Sequence, residues 1–549
     1  MSPTDHETMV SYWPAIPEPP DAHHTIGDAL RKAAVRWPSR TALVEGIVSS
    51  GACTWTYAQL LRDSEAVARA LLTRFRPGER VAVWSANRPE WVLLEMGAAL
   101  AGITLVTVNP AYRSAELEFV LRQSRAQGIF VQPRLHSRDL LAMARSAAEE
   151  LPELRFIQSL DQWDDFMSLS SGKTARLPQV SSTDPAQIQY TSGTTGFPKG
   201  AVLSHRALAM NGRLYAETIG ATPEDVWVNP MPLFHTAGCG LVTLGALQTG
   251  GVHVLPPKFD ADLMLDLFEH HHGTLLLSVP TMLIRMLDAQ HTAARDLSSW
   301  RLATLGGAPV PLELIRRARC DFGVDVGIGY GQTETAPYVT HTVPGDTHPQ
   351  WAETVGRPLP HVEVKIADRD TGEPAALGEL GEICTRSICV MSGYFEDPEA
   401  TDRAVDKNGW LHTGDLGSMD AAGYVCIKGR IKDMIIRGGE NIYPREIEEL
   451  LFTHDTVADV AVVGLPHPEW GEIVAAFVRA RPGAPLTQDN LISHCTGRIA
   501  SYKIPEVWEF VPEFPQTASG KIQKFALRDQ YLGRAGRPLK PETNDRSQA

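Results

Sequence analysis

Apolar and polar positions along the first two-thirds of the chain fall into two alternating kinds of block. Residues 29–37 and 57–72 place apolar side chains at three- and four-residue spacing, the stripe of an amphipathic helix. Residues 80–84 are a short apolar run, residues 90–100 read again as helix, and residues 104–108 are apolar almost throughout. Alternation of this kind predicts α/β layers around buried parallel strands, because such strands face apolar neighbours on both sides. Further apolar runs at 128–131, 226–229, 252–255 and 274–279 continue the series.

From about residue 353 the texture changes. Short alternating runs at 362–366 and 381–385, punctuated by Asp-Arg-Asp-Thr-Gly-Glu-Pro, predict antiparallel hairpins or a small barrel. Residues 429–439 are dense in charge and glycine. Beyond them, a helix at 446–452, strands at 460–463 and 474–478 and a helix at 490–499 predict a compact α+β unit of about 100 residues. From residue 533 the chain is polar and proline-bearing, the composition of a disordered tail.

Composition narrows the class. A chain of 549 residues exceeds one ordinary core, and 43% apolar with 21% charged residues is the balance of a soluble globular protein. A net charge of −14 argues against a nucleic-acid partner and leaves local basic pockets for ATP or a nucleotide thiol. Cys53, Cys239, Cys320, Cys384, Cys389, Cys426 and Cys495 are scattered, which reads as free thiols in a reducing compartment. Residues 1–14 lack the basic-then-apolar order of a secretory signal. Residues 226–257 carry no Lys, Arg, Asp or Glu, yet Pro230, Pro232, His235, Gln248 and His253 interrupt them, so no bilayer-spanning helix fits. A cytoplasmic protein without an integral membrane segment is the expectation. The run His270-His271-His272 reads as a helix end facing water.

The densest chemistry lies in Tyr190-Thr-Ser-Gly-Thr-Thr-Gly-Phe-Pro-Lys-Gly-Ala-Val-Leu-Ser-His205. Thr191, Ser192, Thr194 and Thr195 supply hydroxyl donors, while Gly193, Gly196 and Gly200 let backbone N–H groups come close to a phosphate. Lys199 adds a point charge. The common P-loop places Ser or Thr after its lysine, whereas Lys199 follows Pro198 and precedes Gly200, so the phosphate chemistry is of another kind.

This segment resembles the phosphate-loop signature of the adenylate-forming enzymes, the family of acyl-CoA synthetases, firefly-type luciferases and peptide-synthetase adenylation domains. The resemblance runs from about Ile26 to Asp529. It implies an α/β fold with a large N-terminal domain (1–430) of layered α/β subdomains and a small β-barrel at about 353–430. A small mobile α+β lid (431–532) and a tail (533–549) follow. It further implies ATP, Mg²⁺ and CoA as cofactor and substrates, and a carboxylic acid as the third reactant.

Activating a carboxylate with ATP brings one anion against a polyanion. Two like charges ~4 Å apart repel by about 1 kcal/mol in water and more in a drier site, so cations and in-line positioning are required. Gly329-Tyr-Gly-Gln-Thr-Glu-Thr335 offers Glu334 as an oxygen ligand for Mg²⁺, Thr333 as a hydrogen-bonding group for the α-phosphate, and Tyr330 as a flat face for adenine, with Gly331 and Gln332 between. By resemblance, Gly307, Ala308 and Pro309 face the adenine and acyl group, Asp415 grips the ribose hydroxyls, and Arg430 reaches the ribose. Lys432 matches the hinge, and Gly438, Gly439, Glu440 and Asn441 match the loop lining the pantetheine channel. Lys521, in Thr517-Ala-Ser-Gly-Lys521, matches the lysine bridging carboxylate and α-phosphate.

The acyl pocket is expected from residues 232–240 and 278–284. His235 matches the family aromatic there, Gly238 and Cys239 are small enough to leave room for an alkyl chain, and Val279 and Met282 are apolar. No charge stands where an ammonium would need a partner, so a fatty or aryl carboxylate is favoured. Residues 432–444, 497–505 and 520–528 resemble the medium-chain acyl-CoA synthetase branch. Adenylate-forming relatives also pass the acyl group to an amine or a carrier protein, and no phosphopantetheine attachment site follows the lid. A non-catalytic binding protein is the third alternative, and the joint presence of Lys199, Glu334, Asp415 and Lys521 argues against it.

Overall fold

A computed structural model describes residues 10–17, 19, 23–49, 51–172, 176–191, 198–481, 483, 485–516 and 522–534. The chain forms two compact units. One runs to Thr413 and adds Ser418–Cys426, and the other holds Gly414–Gly417 and the chain from Ile427 onward.

The larger unit is built on the buried strands that the apolar runs predict. Arg80–Trp84, Thr104–Val108, Gly128–Val131 and Phe156–Ser159 run parallel in a seven-stranded sheet. Thr104–Val108 is buried at every position, the reason it carries no charge and no alternation of exposed polar residues. Pro185–Thr191 joins it in parallel, and Lys199–Ser204 and Gly393–Tyr394 extend the edge antiparallel. A nine-stranded sheet contains Val226–Val228, Val252–Leu255, Leu275–Ser278, Leu302–Gly306 and Asp325–Gly331 in parallel. From residue 353 the hairpin texture becomes an antiparallel five-stranded sheet that includes Glu363–Ala367, Gly381–Arg386 and Leu411–Met419.

Helices start where local chemistry stops the chain from extending. Thr25 with Asp28 and Thr56 with Gln59 form reciprocal capping boxes at Ile26–Arg36 and Tyr57–Leu71. Pro89–Ala101 starts on its proline and stops at Gly102, whose φ of 65° suits glycine. All of this helix is buried except Glu90, and Val67 lies where a Cβ on Gly97 would stand (2.3 Å).

Within that helix, the Glu95 carboxyl is buried. Its Oε1 accepts from Gln187 Nε2 (2.8 Å), and its Oε2 has no hydrogen-bond partner among the described residues. Burial raises its pKa well above the usual carboxylate value, so the neutral acid is favoured. A group whose folded pKa is raised lets the unfolded chain release its proton first, so stability is lost as pH rises from the unfolded pKa toward the folded one. Glu95→Gln is expected to flatten the fall in melting temperature between pH 5 and 8, read by thermal denaturation across that range. A slope unchanged from wild type would place the carboxyl ionised.

In the smaller unit, Val457–His467 and Gly471–Ala480 form an antiparallel hairpin, joined by Ile435–Arg437, Glu440–Ile442 and Val507–Phe510. Val460 and Val462 enter the core with Ile447, Leu451 and Leu491, while Ala461 and Val463 face Phe514 and Leu527, so helices cover both faces. The first strand is longer than residues 460–463 because the hairpin ladder carries past Pro466 to His467. The expected helix at 490–499 is instead Gln488–Cys495: Thr496 is extended, and Gly497 takes φ 75°, which ends it. The helix Lys524–Arg534 takes in residues 533 and 534, which the sequence pattern assigns to the tail, and 535–549 lie outside the described residues. The histidine run does close a helix, Ala261–His271, with His272 left-handed. Among the described residues no helix is long and apolar enough to cross a membrane.

Candidate active site

Ligands of α/β sheets gather outside the carboxyl ends of parallel strands, where helix and loop backbone groups are unpaired. Three of the sequence-nominated segments stand there. Thr191 ends Pro185–Thr191, Gly307-Ala308-Pro309 follows Leu302–Gly306, and Tyr330 lies near the end of Asp325–Gly331. Thr191 pairs in register with Lys199, so an antiparallel pair flanks the hydroxyl-rich segment. Ser192, Gly193, Thr194, Thr195 and Gly196 lie outside the described residues.

The lysine and the acid of the two signatures meet through a tyrosine that sequence reading missed. Lys199 Nζ lies 5.1 Å from the centroid of the Tyr394 ring, and the Tyr394 hydroxyl donates to Glu334 Oε1 at 2.8 Å. Among the described residues no carboxylate lies within 4 Å of the Lys199 ammonium. Burial first, then the Glu334 charge, keeps the Tyr394 hydroxyl protonated. Glu334 is itself buried, and its backbone carbonyl accepts from the Met391 N–H at 2.8 Å. Tyr394 sits on a two-residue strand that pairs with Lys199–Ser204 and so joins both signatures.

The glycines of this region are required by close approach. A Cβ on Gly331 would stand 1.8 Å from the Pro337 carbonyl oxygen, and one on Gly329 would stand 2.3 Å from the Tyr338 ring. Gly307 takes φ 76° in the exposed turn that also holds Ala308 and Pro309. Gln332 and Thr333 are half-buried, and Tyr330 is buried.

Around the expected acyl pocket, Gly238, Cys239 and Gly240 form a wide helical turn, Ala237–Thr243, buried throughout. The expectation that Gly238 leaves room for an alkyl chain is corrected here: the Pro232 carbonyl occupies that space, 2.3 Å from a would-be Cβ. Gly240 has no heavy atom nearer than 3.5 Å to such a position. His235 is half-buried, and its Nδ1 accepts from the Ala237 N–H at 3.3 Å, which puts the proton of the neutral ring on Nε2. Val279 and Met282 are buried. Cys239 Sγ accepts from Gln189 Nε2 (3.2 Å), whose amide also donates to Gln187 (2.7 Å) and so reaches Glu95. A polar network therefore backs Cys239.

In the smaller unit, the Arg430 guanidinium and the Asp415 carboxylate pair at 3.0 Å, with Asp415 buried and Arg430 exposed. Lys432 lies in the one-turn helix Ile431–Asp433. Gly438 and Gly439 form a two-residue hairpin between Ile435–Arg437 and Glu440–Ile442, at φ 59° and 91°. Positive φ at both positions is what such a turn demands. Gly438, Gly439, Glu440 and Asn441 are exposed. Lys521 lies outside the described residues, and its described neighbours Gln516 and Ile522 pair in an antiparallel bridge.

Comparison with known proteins decides the family. The AMP-binding enzyme profile matches residues 30–395, and the AMP-binding enzyme C-terminal domain matches residues 446–521. The chain belongs to the AMP-binding enzyme family. Among its relatives in that family, the acyl-CoA synthetase candidate YngI of Bacillus subtilis (strain 168) is 38% identical over 93% of this chain and 97% of its own length. The mitochondrial medium-chain acyl-CoA ligase ACSF2 of Homo sapiens is 36% identical over 92% of this chain and 87% of its own. ATP-bound MatB from Rhodopseudomonas palustris superposes with a TM-score of 0.84 at 30% identity, covering 92% of this chain and 99% of that one. The AMP-binding fold, a large α/β unit and a small α+β unit, is thus the one expected from the chain's texture and motifs.

Tyr394→Phe removes the hydroxyl that joins the two signatures while leaving the ring under Lys199. Acyl-AMP formation in this family member is expected to slow about 10-fold, the scale of one charge-assisted hydrogen bond. Acid-dependent exchange of pyrophosphate into ATP measures it, and a rate equal to wild type would separate Tyr394 from the chemistry.

Proposed function

We propose that this protein is an ATP-dependent, AMP-forming acyl-CoA ligase acting on a medium- to long-chain fatty acid or another apolar carboxylic acid. The carboxylate oxygen attacks the α-phosphorus of ATP, the bond to pyrophosphate breaks, and acyl-AMP forms. The CoA sulfur then attacks the acyl carbon, AMP leaves, and the thiol proton passes to solvent.

The observation that supports this reading best is the line Lys199–Tyr394–Glu334 at the carboxyl ends of parallel strands. It sets a cation that no described carboxylate neutralises beside a buried acid, an arrangement suited to a polyanion and its counter-ion. Among the described residues the Glu334 carboxylate takes one hydrogen bond, from Tyr394, and the acceptor capacity it keeps fits a divalent cation. Mg²⁺, when bound there, neutralises charge on the ATP phosphates. Thr191 and Lys199 hold phosphate oxygens, Thr333 the α-phosphate, and Tyr330 the adenine. Asp415 accepts from the ribose hydroxyls with Arg430 beside it, and Lys521 bridges the two reacting anions. Gly438 and Gly439, without side chains, let the pantetheine arm pass.

The acid is apolar because the surfaces of Val279, Met282 and Leu283 are apolar, and no charged side chain lies on residues 232–240 or 278–284. A panel of carboxylic acids with ATP, Mg²⁺ and either CoA, amines or no acceptor tests the proposal, following AMP and products by mass. CoA-dependent AMP release with acyl-CoA supports it. Amide without thioester would make an amine the acceptor, and no AMP with any acid would leave a binding protein.

A further inference from the structure

Just upstream of Asp415, two neighbouring strands of the five-stranded sheet bring three metal-ligating side chains together. Glu382 and Cys384 stand two residues apart on Gly381–Arg386 and so share one face. His412 stands on the adjacent strand, Leu411–Met419. The His412 Nδ1 lies 2.8 Å from Glu382 Oε2 and 3.5 Å from Cys384 Sγ, and the three donor atoms all fall within 4.8 Å of one another. Cys384 is buried, and Glu382 and His412 are half-buried.

From this geometry we infer that Glu382, Cys384 and His412 form a binding site for a thiophilic divalent cation of the Zn²⁺ class. Tetrahedral zinc with bonds of about 2.0–2.1 Å to nitrogen and 2.3 Å to sulfur sets its N and S ligands roughly 3.5 Å apart. The observed Nδ1–Sγ separation already meets that, and the Glu382 oxygen must swing away from His412 and toward Cys384 to complete the set. One thiolate and one carboxylate balance a dication, and the imidazole is neutral. Binding therefore displaces the thiol proton, and the imidazole proton where present, to solvent. Asp406 Oδ2 stands 3.9 Å from His412 Nε2, on the side away from the other two donors. A carboxylate facing the second ring nitrogen is the usual outer support of a metal-bound histidine. Lys365 and Arg386 both lie over the Trp410 ring at 4.9 and 4.7 Å, and Arg386 is paired with Glu363 at 2.5 Å, so its charge is already balanced. The set mixes sulfur, nitrogen and one oxygen donor, which selects zinc over the Mg²⁺ that the ligase reaction takes.

Co²⁺ titration of the full chain, with Zn²⁺ as competitor, tests the site. A thiolate-to-cobalt charge-transfer band is expected on Co²⁺ addition, abolished by Zn²⁺ and unaffected by excess Mg²⁺. Cys384→Ser is expected to remove the band, whereas Cys53→Ser, Cys320→Ser and Cys426→Ser together keep it. His412→Gln, on a half-exposed side chain, is expected to weaken Zn²⁺ binding by more than the roughly 10–100-fold that loss of an outer partner costs, and Asp406→Asn by about that amount. Absence of the band in the wild-type chain, or its survival in a folded Cys384→Ser or His412→Gln variant, overturns the site.

Discussion

Replacing Lys521 with alanine is expected to slow acyl-AMP formation by about 10²–10³-fold and to leave thioester formation from supplied acyl-AMP nearly unchanged. The scale is that of losing one positioned electrostatic group aimed at charge in the transition state. The reasoning starts from repulsion: the attacking carboxylate and the α-phosphate are both anionic, and a cation between them offsets the repulsion only in the first half-reaction. In the second, the nucleophile is a thiol and the leaving group is AMP, so the bridging charge has no counterpart. The Gln516↔Ile522 bridge pairs the described residues on either side of the lysine-bearing segment, as Thr191↔Lys199 does for the hydroxyl-rich one. Pyrophosphate exchange reads the first step, and single-turnover mixing of synthetic acyl-AMP with CoA reads the second. Lys521→Arg should recover part of the first rate, because it restores charge with a different geometry. Equal loss in both steps would end the division of labour between the half-reactions.

How much of this was legible before the fold depends on whether a feature is local. The runs at 80–84, 104–108, 128–131 and 252–255 became strands with those very limits, since burial on both faces leaves few polar positions to blur them. Gly497 carried a stop that the apolar spacing of 490–499 overrode in reading, because a left-handed glycine leaves no trace in hydrophobic periodicity. The segments 307–309 and 329–335 could be singled out as strings because each is continuous in the chain, at or beside a strand end. Tyr394 could not: it belongs to a two-residue strand, and its partners lie 60 residues away at Glu334 and across the sheet at Lys199. The network from Glu95 through Gln187 and Gln189 to Cys239 is likewise invisible in sequence, its links spanning 92 and 50 positions. Gly238 shows the converse error. Smallness suggested space for substrate, and the fold spends it on the Pro232 carbonyl.

Glu334→Gln is expected to lower kcat/KM for ATP by about 10²-fold, the scale of one lost electrostatic group, and to move the Mg²⁺ dependence to higher concentration. The substitution is chosen for what it retains. The amide oxygen still accepts from the Tyr394 hydroxyl, and the backbone carbonyl still accepts from the Met391 N–H, so the turn holds its place. Alanine would instead leave the half-buried Tyr394 hydroxyl without its acceptor, at a cost of about 1–3 kcal/mol, and mix stability with chemistry. What glutamine removes is the negative charge, and with it the pull on a hard dication that prefers carboxylate oxygen. Lys199 and the loop hydroxyls remain, so ATP should bind, yet its phosphates would hold their cation more loosely. Steady-state rates over a Mg²⁺ series, with melting temperature as a check on folding, separate the two effects. A folded Glu334→Gln variant with wild-type Mg²⁺ dependence would remove Glu334 from the metal's coordination and leave Tyr394–Glu334 a purely structural tie.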